Sequence, residues 1–241
     1  MDMATTTTPT FGYDDLPTLL TRLTGDEKHD RSSFSTLDVL WVLYDRALGE
    51  DDRFILSKGH GPAAFYAVLA AKGIVPVEAL DGFGSFDSPL GYHPDRNLAP
   101  GVEFSGGSLG HGLGVALGAA LTGRRIFCLV GDAELDEGSN WEAVQYAGRI
   151  GLASLTAIVV DNDSSEHGWA VAGSVAGEAG DARPEDRGAY NASGGIERRF
   201  MLEGWAALRV DGRDHEQLEA ALTPDPVGER PRCIVAEVDK K

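Results

Sequence analysis

Apolar side chains at Leu37, Leu40, Trp41, Tyr44 and Leu48 recur every three or four positions, which predicts an amphipathic helix over about 34–48. A short strand-like run follows at 53–56, then Ser57-Lys58-Gly59-His60-Gly61. Pro62 suits a first helical turn and Gly73 a helix stop, so 62–72 is expected to be helical. The stretch 85–107 is rich in Gly, Pro and Asp and reads as a long loop. Residues 108–122 place Gly110, Gly112, Gly114 and Gly118 among Leu, Val and Ala. Each such glycine costs a helix about 1 kcal/mol against alanine, so this segment is expected to gain close approach to a neighbour or ligand. The continuous apolar runs at 126–130 and 156–160 are typical of strands buried on both faces. Between them, 138–150 reads as a helix ending near Gly151, giving a strand–helix–strand unit with parallel strands and a right-handed crossover. A loop rich in small and acidic residues fills 163–195. After it come a helix at 195–203, a strand at 206–210, a helix at 214–222 capped by Asp214, and a last strand at 234–238.

The expected fold class is therefore α/β, a three-layer parallel sheet with helices on both faces. Length and composition, 241 residues of which 42% are apolar, suit one sizeable unit over 13–241 behind a loose threonine-rich tail at 1–12. No internal repeat is visible. The net charge of −17 argues against nucleic acid, whose phosphates call for a basic stripe. No apolar run approaches the roughly 20 residues that span a bilayer, and the polar start has no signal peptide, so a cytoplasmic protein is expected. Cys128 and Cys233 lie in apolar runs and read as buried thiols with neither disulfide nor metal-type spacing.

The chemistry concentrates at two strand ends. Asp132 and Asn162 each fall just past a buried strand, the edge where open α/β sheets bind ligands. If those strands are neighbours, a carboxylate, an amide oxygen and a nearby main-chain carbonyl make a hard-oxygen set of the kind Mg²⁺ accepts, with phosphates completing its shell. Gly131 and Ala133 keep bulk out of the turn, and the amides opening the next segment suit a diphosphate oxygen.

Gly131-Asp132-Ala133 through Asp161-Asn162 resembles the thiamine-diphosphate motif. Leu56-Ser57-Lys58-Gly59-His60, Gly91-Tyr92-His93-Pro94, Gly106-Gly107-Ser108-Leu109-Gly110, the stretch from Glu134 to Glu142, and Gly204-Trp205 through His215 resemble the transketolase family, in the right order over roughly 29–238. The resemblance implies the thiamine-diphosphate-binding fold of the diphosphate-binding type. It implies that Asp132 and Asn162 are side-chain ligands of Mg²⁺, that Ser164 supplies a carbonyl ligand, and that Ala133 and Asn162 touch the diphosphate. By the same resemblance Gly107, Ser108 and Leu109 lie under the cofactor, and His60 contacts the diphosphate. His93 lines the substrate channel, and His29 stands at the first substrate histidine. Glu137 and Glu142 match interface acids between cofactor sites. Histidines suit proton transfer at the hydroxyls of a ketose, while the cofactor carries the carbanion chemistry.

The sequence departs from that pattern at Ala133 (usually Gly), at Asp161 (usually Asn), at His111 (usually Gln), and at Lys28-His29-Asp30-Arg31, which lacks the surrounding glycines. Glu166 stands where an apolar residue packs beside the cofactor; either it alters the cofactor's electronics or acceptor preference, or this loop is arranged differently. Full transketolase chains carry two further domains. The expectation is thus a split transferase: this subunit holds thiamine diphosphate and Mg²⁺. A separate C-terminal transketolase-like subunit completes an α₂β₂ assembly acting on a ketose phosphate, and the isolated chain does not turn over. The alternatives are a subunit of a decarboxylating enzyme, of the α-keto-acid dehydrogenase or deoxyxylulose-phosphate synthase kind, and a degenerate binding domain.

Overall fold

The computed structural model describes residues 11–23, 33–59, 61–164, 195–223 and 228–238. Five strands, β1 (Arg53–Leu56), β2 (Ile126–Gly131), β3 (Leu155–Asp161), β4 (Ala206–Asp211) and β5 (Arg232–Glu237), form one sheet in the order β1-β2-β3-β5-β4. Every pairing is parallel. All five C-terminal strand ends therefore share one edge.

Alternate side chains of the buried strands serve two cores, as the pleat requires. Phe54, Phe127, Leu129, Ile158, Val160, Ile234 and Ala236 face one cluster. That cluster also takes side chains of α1 (Leu16–Leu20), α2 (Leu37–Val42), α3 (Ala63–Ala71) and α7 (His215–Leu222). Ile55, Cys128, Val130, Ala157, Val159, Cys233 and Val235 face the other. It is covered by α4 (Gly112–Ala120), α5 (Gly138–Ile150) and α6 (Gly195–Leu202). The expected three-layer arrangement is thus present.

Local chemistry explains the element ends. Gly73 and Gly151, with φ of 69° and 64°, stop α3 and α5 in the left-handed conformation that glycine adopts without strain. Asp214 caps α7 by accepting from the amides of Glu216 at 3.0 Å and Gln217 at 3.1 Å. The differences from expectation are local. Helix α2 continues as a π-helical turn over Leu43–Ala47. The glycine-rich helix is shorter than 108–122, because Gly107 and Gly110, with φ of 112° and 79°, shape a turn before it. The last strand starts at Arg232, two residues before the apolar run, because pairing with Ala206 rather than hydropathy sets its register. Helix α1 and the 3₁₀ segment Val77–Gly82 carry too few apolar repeats to show in the periodicity. Phe11 and Tyr13 pack against the first core. Most of the expected 163–195 loop lies outside the described residues.

Candidate active site

Strands β2 and β3 are neighbours, with Gly131 opposite Val160. The main-chain N–H of Asp132 donates to the Val160 carbonyl at 3.1 Å, which carries the pairing one residue beyond the strand. The two expected ligand residues therefore meet at the sheet edge, both 2% exposed. The Asp132 carboxylate accepts from the main-chain N–H of Ser164 and from its hydroxyl, each at 2.6 Å. This folds the loop after β3 back onto the end of β2. Asn162 lies inside that loop, and its Oδ1 is buried with no hydrogen-bond partner among the described residues. An unsatisfied buried acceptor costs about 1–3 kcal/mol, and a cation beside a carboxylate would offset that cost. The residues present thus fit Mg²⁺ by the chemistry of their donors. Among the described residues no group of three or more His, Cys, Asp or Glu side chains could hold a metal. A site built on one carboxylate and one amide is of a different kind, one that leaves coordination to phosphate oxygens and water.

Four segments close around this edge. Glu134, buried, accepts from the Ser57 hydroxyl at 2.6 Å, the Gly110 amide at 2.9 Å and the Gly131 amide at 3.3 Å. Its own carbonyl accepts from the Asn140 side chain at 2.7 Å. Ser57 Oγ in turn accepts from the Gly112 amide at 3.1 Å. Burial pushes the Glu134 carboxyl above the usual carboxylate range, and the donors from Ser57, Gly110 and Gly131 oppose it. The close approach foreseen for the glycine-rich helix is real at Gly112, where a Cβ would fall 2.4 Å from Ser57 Cβ. It is absent at Gly114 and Gly118, where a Cβ would meet nothing within 4 Å among the described residues.

Gly107, Ser108 and Leu109 form an exposed ledge, with Leu109 41% exposed. The exposed His93 ring lies against it: a Cβ on Gly107 would stand 3.5 Å from that ring, as would one on Gly59. His111 sits at the start of α4 with its Nδ1 3.0 Å from the Leu109 carbonyl. Ala133 is half-buried, and Glu137 and Glu142 are exposed. His29, His60 and Glu166 lie outside the described residues. The structure brings Asp132, Asn162 and Ser164 together and places His93 on the Gly107 ledge. Sequence reasoning missed Glu134 and Ser57 as the ties between these segments. An acid between Ala133 and Leu135 was the available signal.

Beside the ledge, α4 and α5 leave a groove of about 420 Å³ lined by His111, Val115, Ser139, Glu142 and Tyr146, among others. Leu121 and Ile150, at the C-terminal ends of the same two helices, are also exposed.

Known proteins resemble the chain over most of its length. The family described as "Transketolase, thiamine diphosphate binding domain" matches residues 44–127. The chain is 32% identical to the 6-deoxy-6-sulfo-D-fructose transketolase subunit SqwG of Clostridium sp. (strain MSTE9), over 80% of this chain and 70% of that protein. It is 47% identical to a protein of Rhodococcoides fascians named ferredoxin fas2, over 96% of this chain and 73% of that one. This chain has two cysteines, Cys128 and Cys233. Both are buried, and burial pushes both thiols well up. Among solved structures, the transketolase of Leishmania mexicana has the same fold, with a TM-score of 0.66 at 22% identity over 95% of this chain and 37% of that one. The chain belongs to the transketolase family, whose thiamine-diphosphate-binding domain it carries.

Proposed function

We propose that this chain is the thiamine-diphosphate- and Mg²⁺-binding subunit of a two-component transketolase-like enzyme. That enzyme would transfer a two-carbon ketol unit from a ketose phosphate to an acceptor. The observation that carries the reading is the buried Oδ1 of Asn162, without a hydrogen-bond partner among the described residues, in the loop that Ser164 ties to the Asp132 carboxylate at the sheet edge. Thiamine diphosphate, when bound, supplies the carbanion chemistry. The residues of this chain hold and orient it. Asp132, Asn162 and the Ser164 carbonyl are the ligand set for Mg²⁺, and Gly131, Ala133 and Asn162 accommodate the diphosphate. Gly107, Ser108 and Leu109 form the floor, and the exposed Leu109 side chain offers an apolar surface. His93 stands at the rim of this ledge, where an imidazole can take or give a proton at a sugar hydroxyl. His29, His60 and Glu166 complete the proposed set.

A second subunit, carrying the pyrimidine-binding domain, is part of the proposal. The chain spans 37% of the Leishmania transketolase, and the Clostridium relative is named a subunit. The exposed groove between α4 and α5 adjoins the ledge and carries Glu142, with Glu137 close by at the start of α5, so an α₂β₂ assembly would cover both.

Asp132→Ala tests the site. Calorimetry on the chain assembled with its partner should show Mg²⁺-dependent thiamine diphosphate binding in the wild type and none in the variant, with unchanged circular dichroism. Retained affinity in the variant would refute the ligand assignment. Turnover of pyruvate rather than a ketose phosphate by the same complex would move the enzyme to the decarboxylating class.

A further inference from the structure

Arg209 lies on β4, the edge strand, opposite Val235 of β5. It reaches across β5 to the end of β3. Its Nε and Nη2 donate to the two oxygens of Glu197 on α6, at 2.5 and 3.2 Å. Its Nη1 donates to Asp161 Oδ2 at 2.8 Å and to Glu237 at 3.2 Å. One guanidinium thus joins three carboxylates, of which Asp161 and Glu197 are only 5% and 8% exposed.

Asp161 is the residue before Asn162, and it is fixed at three points. Its carbonyl accepts from the Val238 amide at 2.9 Å. One carboxylate oxygen takes Arg209, and the other accepts from the Asp163 amide at 3.3 Å. Asp163 has φ of 56°, the one non-glycine residue in the left-handed region among those described. Such a conformation persists where the surroundings dictate it. One residue further on, Ser164 is gripped by Asp132. Asn162 therefore hangs between two anchored neighbours.

We propose that Arg209 is a positioning residue for the cofactor site: by clamping Asp161 it sets the turn that aims the Asn162 amide oxygen beside Asp132. This rests on the assignment of Asp132 and Asn162 made above. A lysine cannot replace it, because only the planar fork can serve Glu197 and Asp161 together.

Amide hydrogen exchange on the cofactor-free chain tests the clamp. In Arg209→Gln the Asp163 and Ser164 amides should exchange at least tenfold faster. Adding Asp161→Asn should bring them back to within about threefold of wild type, because the amide oxygen still accepts from Asp163 and the charge that needed Arg209 is gone. Adding Glu197→Gln instead removes an equal charge from the other buried partner of Arg209 but should not restore them. Should Arg209→Gln fail to fold, Arg209→Lys serves, with at least threefold faster exchange at the same two amides. Unchanged exchange in the folded Arg209 variant, or equal rescue by Glu197→Gln, would overturn the proposal and leave Arg209 a structural bridge. Thiamine diphosphate affinity with Mg²⁺ should follow the same order across the variants. If the wild-type complex binds no cofactor, the functional reading fails, while the exchange rates still decide the clamp.

Discussion

Glu134 shows how much one buried carboxylate can organise. It takes three donors from β1's exit, the glycine-rich turn and β2's end, and none of them can turn to water. An amide in its place would present an NH₂ group to at least one of those N–H donors. Glu134→Gln is expected to lower stability by about 1–3 kcal/mol, the cost of leaving a buried donor unpaired, as read by urea denaturation. The same residue marks the limit of sequence reading at this scale. The meeting of Asp132 and Asn162 was legible because each follows a buried strand, and neighbouring parallel strands end at one edge. Glu134 was not, because a carboxylate in a 3₁₀ turn after a strand reads as solvated until its neighbours close over it.

At the scale of the element, α4 and α5 are unusual in their outward face. Val115, Leu121, Tyr146 and Ile150 are exposed, and among the described residues nothing lies within 4 Å of a Cβ placed on Gly114 or Gly118. A glycine inside a helix lowers its stability by about 0.8–1 kcal/mol against alanine, so glycines facing open space have no internal justification. Gly118→Ala should therefore stabilise the isolated chain by up to about 1 kcal/mol in thermal unfolding. If a partner packs there closely, as proposed, the same change should weaken assembly in sedimentation or light scattering. Stabilisation without weaker assembly would place the partner elsewhere. Periodicity found α2 to α7 and all five strands to within a few residues, because long apolar patterns carry both element type and burial. It missed α1 and 77–82, where a single turn holds too few repeats to register.

For the whole molecule, the sheet's ends are tied by polar networks as well as by the two cores. Asp38, at the start of α2, accepts from Tyr13 at 2.5 Å, Arg213 at 2.5 Å and His215 at 2.9 Å. It thereby links the chain's first described segment to the turn before α7. Burial alone would raise the Asp38 carboxyl, but the hydrogen bonds from Tyr13, His215 and Arg213 prevail and hold it below its ordinary value. Burial, and then the bond to Asp38, push the Tyr13 hydroxyl up to about 12, so it stays a donor. A carboxyl lowered on folding contributes stability that is full above its unfolded value of about 3.9 and is lost as pH falls through the folded value. Wild type should thus lose Tm more steeply than Asp38→Asn below about pH 4, and the variant should be less stable at pH 7 by about 1–3 kcal/mol. Parallel Tm–pH curves would show that Asp38 contributes nothing through its charge.

The sequence by itself determined the α/β class, the parallel order of β2 and β3, and the residues whose chemistry suits a cation and a diphosphate. These follow from local pattern: continuous apolar runs need two covered faces, and the strand–helix–strand order leaves both strand ends at one edge. It also carried the family, through motifs spread over most of the chain. Only the tertiary structure decided which groups hold that edge in shape. Arg209 reaches Asp161 across an intervening strand, and Glu134 joins segments far apart in the sequence. Such contacts depend on the strand order β3-β5-β4 and on how closely Gly112 lets α4 approach Ser57. Neither distance is encoded in any one stretch of residues.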